Sequence, residues 1–198
     1  LQDSSKKRLI AYHEVGHALV AAFTPLADKV DKISLLPKEG GVGGFTRLWP
    51  DEESIDSGII SKGRMNARII VCLGGRAAEM LVFGRSEVTQ GASSDLISVS
   101  KIAREMVTRF GFSSLGNYPI REDSDQIFLG RDLISSKYKF SEATNKAIDF
   151  EVRKIVSSAL NKALALLSER RPLMDKLVET LIEDEIIYSD QFELIIGS

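Results

Sequence analysis

The sequence predicts a mainly α protein with a small β element near its N-terminus, and three observations predict it. Apolar residues recur at intervals of three and four along most of the chain. Period-two alternation is confined to one short region between residues 30 and 49 that is punctuated by glycine and proline. The 198 residues are 43% hydrophobic and 27% charged, enough apolar material for a sizeable core and too much for a disordered or low-complexity chain.

In chain order, Leu9, Tyr12, Val15, Leu19 and Phe23 share one face of a helix over 5–23, which Pro25 stops. Val30, Ile33 and Leu35 alternate with polar residues and fit a strand; 38–41 would be a turn and 42–49 a second strand, a β-hairpin rich in glycine. Residues 51–57 are acidic and read as a loop or cap. Ile59 to Leu73 carry a helical stripe, and a second helix over 76–83 follows if Gly74 and Gly75 do not break it. After the small polar run 88–94, Leu96, Val99, Ala103, Met106 and Phe110 mark a helix closed by Gly111, with Ser93 or Ser94 as its cap. Residues 116–139 read as an irregular connection with one strand candidate at 126–129. From the cap Ser141, apolar residues keep helical phase to Leu167, Pro172 opens a helix to about residue 183, and Ser189 caps a short last one. The C-terminal third is thus expected to be a helical hairpin or bundle. The chain reads as one domain, with 1–138 carrying the chemistry and 139–198 the helical part.

Lysine and arginine total 26 against 28 acids, a net charge of -2, which gives no bulk attraction to nucleic acid or anionic lipid. Cys72 is the single cysteine, so an intrachain disulfide and a cysteine-rich zinc module are excluded. No window approaches the roughly 18–20 apolar residues of a membrane span, so the chain as given is expected to be soluble. It begins without Met and without an apolar signal core, which points to a fragment or processed product.

The chemistry sits in His13-Glu14-Val15-Gly16-His17, an H-E-x-x-H sequence on the first helix. Residues four apart share a helix face, so both imidazoles can reach one metal ion while Glu14 lies beside it. A zinc-bound water has its pKa lowered to about 7, and a neighbouring carboxylate can take its proton, which is the chemistry of peptide hydrolysis. A chance pair of histidines on a half-buried helix is the bland alternative. Against it, both histidines of the chain fall in the motif. A catalytic zinc takes three protein ligands, and with no third histidine the missing one is a carboxylate or Cys72. The extended metzincin pattern is excluded by Val20 and Phe23. Glu39 is the nearest acid in the hairpin. Asp95, in the first turn of a helix after small residues, has better geometry, although acids favour helix N-termini for dipole reasons alone.

Several segments, in order, resemble the protease domain of the FtsH family. They are Ala11 to Val20 around the motif, Leu73-Gly74-Gly75-Arg76-Ala77-Ala78-Glu79, Val82-Phe83-Gly84, Glu87 to Leu96, Met106 to Gly111 and Phe128-Leu129-Gly130-Arg131-Asp132. The resemblance covers almost the whole chain, and Arg109 to Phe112 is similar to cyanobacterial and chloroplast members. It implies a membrane-anchored, ATP-dependent zinc metalloprotease whose AAA+ module and anchor precede this domain in the parent protein. It also implies one Zn2+ per chain held by His13, His17 and Asp95, Glu14 as catalytic base, and a homo- or hetero-hexamer acting on unfolded or membrane proteins. The domain would face the cytoplasm, stroma or matrix, with the chloroplast thylakoid one such setting. ATP and Mg2+ would act only through that upstream module, since no P-loop is present in this sequence. Departures are mild: Val15, Gln90 and Ser94 differ from common family residues, and none is an implied ligand.

Among the remaining residues, Gly43, Gly44, Phe45 and Thr46 lie on a strand that could pair with an extended substrate beside the metal. Arg76 and Glu79 could form an ion pair propping the site. Trp49 and Cys72 read as packing residues. The competing functional class is a non-catalytic scaffold whose metal is structural and whose helices drive ring assembly.

Overall fold

A 22-residue helix, α1 (Gln2–Phe23), forms the axis of the molecule. In the computed structural model, which describes residues 2–38, 43–50, 52–117, 120 and 141–197, Ala11, Val15, Ala18 and Leu19 of α1 are fully buried. The chain leaves α1 through Pro25 and Leu26, the latter in the left-handed region at φ 66°, and enters strand β1 (Lys29–Ser34). Strand β2 (Phe45–Trp49) pairs with it antiparallel, Lys29 opposite Trp49 and Ser34 opposite Phe45. The register slips between Val30 and Lys32, and Asp31 at the slip pairs with Arg47. The expected hairpin is present, with its second strand starting at Phe45; 39–42 lie outside the described residues.

A third strand was not foreseen. β3 (Ile186–Tyr188) pairs with the other edge of β1, Ile33 opposite Ile187, giving the order β2-β1-β3. Three residues are too few to show alternation. The strand depends on Glu185, left-handed at φ 63°, whose carbonyl accepts the Leu35 N–H at 2.9 Å.

The short helix α2 (Glu52–Ser57) leads to α3 (Lys62–Cys72), where Ser61 accepts the Arg64 N–H at 3.2 Å as N-cap. Helix α4 (Gly74–Phe83) starts directly after Leu73, so the glycine pair lies inside it. The reason is a close crossing with α1. A Cβ on Gly74 would stand 2.7 Å from the Gly16 carbonyl oxygen, and one on Gly16 would stand 2.7 Å from Ala78 Cβ; the glycines let two backbones touch.

Two 3-10 turns, Arg85–Glu87 and Gln90–Ala92, carry the chain to α5 (Ser93–Thr108). Ala92 occupies the N-cap position without a side-chain bond, and the Ser93 hydroxyl instead donates to the Gln90 carbonyl, so neither expected serine caps this helix. α6 (Glu142–Glu169) is capped by Ser141, as its sequence predicts, and α7 (Arg171–Asp184) opens with Pro172 in its first turn. α8 (Ser189–Gly197) closes the described chain. α6 packs on α3, α4 and α5, while α7 packs on α1, so the C-terminal helices brace the helices around the H-E-x-x-H segment and do not rest on each other alone. Ala163, Leu167, Met174, Leu177 and Leu181 join the same core as α1 and α4. The strand candidate at 126–129 and the segment 128–132 fall outside the described residues. Among those described, no helix is long and apolar enough to cross a membrane.

Candidate metal centre

His13 and His17 sit one turn apart on α1, and α5 brings the first-turn Asp95 to the same point. Nε2 of His13 lies 3.1 Å from Nε2 of His17, and each is 3.4 Å from Asp95 Oδ2. Among the described residues, these three form the one group of His, Cys, Asp or Glu donors close enough to share an ion. Cys72 stands outside that group, and Glu39 lies outside the described residues.

The outer nitrogens fix the tautomers. His17 Nδ1 lies 2.8 Å from the Val71 carbonyl, which only accepts, so this nitrogen carries a hydrogen and donates. His13 Nδ1 donates to Glu79 Oε1 at 2.7 Å. With a metal ion between them both Nε2 atoms would be bare, their two lone pairs and a carboxylate oxygen converging on one point, which in metal-free protein is left to a shared proton. A tetrahedral ion with ligands at about 2.0–2.1 Å has ligand-to-ligand edges of about 3.3–3.4 Å, which the triangle of 3.1, 3.4 and 3.4 Å matches. The donor set therefore fits zinc, with the acceptor behind each imidazole that such sites require.

Without metal, protons feel the same geometry. Burial pushes the His13 imidazole down, but its hydrogen bonds to Asp95 and Glu79 outweigh this and raise it to about 9. Burial pushes the Asp95 carboxyl up, and the hydrogen bonds from His13 and His17 more than reverse that, holding it well below the carboxylate range. Glu79 is fully buried; burial raises its carboxyl, while His13 and the Thr89 N–H, at 2.7 Å, lower it on balance. The carboxylate of Glu79 thus ties a histidine of α1 to the turn that leads into Asp95.

The triangle opens into a cavity of about 970 Å³ whose lining includes Glu14, Gly43, Gly44, Phe45, Thr46 and Cys72. Glu14 is buried, and its Oε2 accepts the Thr46 hydroxyl at 2.9 Å.

Residues 1–195 match peptidase family M41. The chain belongs to that family. Its relatives include ATP-dependent zinc metalloprotease FtsH 3 of Synechocystis, 42% identical over all of this chain and 32% of the relative. The chloroplastic ATP-dependent zinc metalloprotease FTSH 1 of rice is 42% identical over 96% of this chain and 28% of its own length. FTSH 5 of Arabidopsis, also chloroplastic, is 43% identical over 96% of this chain and 27% of its own. This M41 chain spans between about a quarter and a third of the length of the curated relatives it matches.

Within the M41 domain the structure revises several sequence readings. Arg76 and Glu79 do not pair directly; they meet at Thr89, whose carbonyl accepts from Arg76 at 3.4 Å and whose N–H donates to Glu79. Trp49 is not packed: it is 59% exposed, with the Arg47 guanidinium 6.0 Å from its ring centroid. Cys72 is half-buried at the cavity wall, its thiol pushed up to about 11 by burial and then by the Asp95 charge. Sequence reasoning missed the Val71 carbonyl behind His17 and the hydroxyl of Thr46 on Glu14. The first has no side-chain signal at all, since any residue offers a carbonyl. The second was within reach, because Thr46 is the one hydroxyl on β2.

Proposed function

We propose that this chain is the zinc endopeptidase domain of a membrane-anchored, ATP-dependent FtsH-type protease, with His13, His17 and Asp95 as the metal ligands and Glu14 as general base. The observation that carries the reading is the triangle of donor atoms 3.1–3.4 Å apart with a buried glutamate on the neighbouring residue. Zinc bound there would acidify a water to a pKa of about 7 and polarise the scissile carbonyl. The chain's own residues supply the rest. Glu14 takes the proton of the attacking water and returns it to the leaving amine. Glu79 and the Val71 carbonyl hold the two imidazoles in the ligating tautomer. β2, at the edge of the sheet among the described residues in the order β2-β1-β3, would offer backbone groups to an extended polypeptide, which selects for unfolded substrates with little regard to sequence. Gly43, Gly44, Phe45 and Thr46 line the cavity at that edge.

The one-domain division at about residue 138, the hexameric assembly, the anchor and the ATP-driven delivery belong to this same proposal. ATP-driven delivery is supported by the relatives' names; the division rests on the sequence pattern, and the hexamer and the anchor rest on the resemblance to the FtsH family. The test is zinc per chain and peptide hydrolysis, measured on folded wild type, Asp95→Ala and Glu14→Gln. About one zinc in the wild type, loss of it in Asp95→Ala, and retained zinc with hydrolysis reduced about a hundredfold or more in Glu14→Gln are expected. A folded wild type that binds zinc but hydrolyses no peptide would favour the scaffold alternative, and one that takes up no zinc would refute the metal site itself.

A further inference from the structure

β2 reaches Glu14 from two directions. The Thr46 hydroxyl lies 2.8 Å from the Glu14 backbone carbonyl and 2.9 Å from its Oε2, and it has one hydrogen to offer two acceptors. Two residues earlier, Gly44 presses bare backbone on the same side chain: a Cβ there would stand 3.2 Å from Glu14 Cγ and 3.0 Å from Ile10 Cγ2. Thr46 is opposite Ile33, which is fully buried, and residues opposite each other project to one face of a sheet. The hydroxyl is therefore turned inward onto α1, while the strand's backbone N–H and carbonyl groups lie in the plane of the sheet. Among the described residues Thr46 is the side chain bonded to the Glu14 carboxylate.

We infer that Thr46 is a positioning residue: its hydroxyl, with the side-chain-free Gly44 against the Glu14 stem, holds the Glu14 carboxylate in one orientation toward the ligand triangle. This rests on Glu14 being the proton acceptor proposed above. A glutamate has three rotatable side-chain bonds, and a base must be within hydrogen-bond reach of the proton it removes, so pinning its far end raises the fraction of molecules in reacting geometry. The same strand that offers its edge to substrate thereby aims the base. Thr46 acts through Glu14, whose backbone carbonyl and carboxylate both engage its hydroxyl.

The test compares Thr46→Val, which keeps shape and strand preference but removes the hydroxyl, with Thr46→Ser, which keeps the hydroxyl, both in the zinc-loaded full chain. Thr46→Val is expected to lower kcat about ten- to a hundredfold, the scale of a hydrogen bond to a charged group, with KM and zinc content unchanged. Thr46→Ser should restore most of the rate. In a Glu14→Gln background, adding Thr46→Val should leave the dissociation constant of an unfolded peptide unchanged. The inference is overturned if Thr46→Val turns over at the wild-type rate, if Thr46→Ser loses as much as Thr46→Val, or if the loss appears in KM and in peptide affinity. Should Thr46→Val fail to fold, Thr46→Ala, which adds no bulk, carries the same comparison. A wild type that neither binds zinc nor hydrolyses peptide would defeat the functional reading itself. An active wild type beside a fully active Thr46→Val defeats the role of Thr46 alone.

Discussion

Replacing Gly75 with alanine puts a methyl group 2.5 Å from both Cε1 and Nε2 of His13 and 2.7 Å from its Nδ1. Ordinary carbon contacts lie at about 3.5–4.0 Å, so ring and helix must part by about 1 Å. The backbone of α4 is poorly placed to yield, because one residue earlier it is pressed on α1: a Cβ on Gly74 would stand 2.7 Å from the Gly16 oxygen and 3.0 Å from His17 Cα. The ring therefore moves. A 1 Å shift is about half the length of a zinc–nitrogen bond of about 2.0–2.1 Å, and it takes Nε2 out of the triangle while stretching the bond to Glu79. Loss of an outer-shell partner alone costs about 10- to 100-fold in metal affinity, so Gly75→Ala, which displaces a ligand, should cost about a hundredfold or more. The metal-free fold should lose only about 1–3 kcal/mol from overpacking. Gly74→Ala is the contrasting variant, since its methyl meets backbone and should act first on stability. Chelator-competition titration with thermal unfolding of the metal-free proteins separates the two. Gly75→Ala binding zinc as tightly as wild type would show that the crossing slides and that the ring is not pinned as described.

Two further outcomes follow from the groups behind the ligands. Glu79→Gln can keep an acceptor for His13 but loses the charge and turns its NH2 to the Thr89 N–H, and zinc affinity by chelator competition should fall about tenfold; Glu79→Ala, which removes the acceptor of both His13 and Thr89, should also lower stability by about 1–3 kcal/mol. In metal-free protein His13 is raised to about 9, above its ordinary 6.5, so its protonation stabilises the fold fully below about 6.5 and that contribution is lost as pH rises through about 9. The melting temperature of metal-free protein should decline across that interval, more than that of zinc-loaded protein; a rise there would refute the hydrogen bonding assigned to His13.

How legible this molecule is in its sequence varies by element for physical reasons. α1 and α6 announce themselves because their burial is periodic over many turns, and Ser141 caps α6 through its own side chain. β3 does not, because three residues carry no period and the strand exists only where the β1 edge receives it. The start of α4 was misplaced because glycine inside a helix reads as a break, whereas here it is required by the approach of Gly16 and of the His13 ring. The caps expected at Ser93 and Ser94 failed for a related reason: Ser93 already donates to Gln90 in the preceding turn.

The site divides along the same line. Its two histidines and Glu14 are adjacent in sequence and follow from helix geometry, but a third donor 82 positions from His13, at Asp95, depends on how α1, α4 and α5 are docked. That docking is transmitted through groups with no signature of their own. The Thr89 N–H meets Glu79, Glu79 meets His13, and the Val71 carbonyl meets His17. Each contact fixes one element against another and fixes a proposed ligand, or the turn that leads to one, at the same time. The position of the His13 ring thus depends on the close α1–α4 crossing at Gly16, Gly74 and Gly75, while α5, packed on α3 and α6, brings Asp95 to it. A substitution at those glycines should reach the metal site without altering a single proposed ligand.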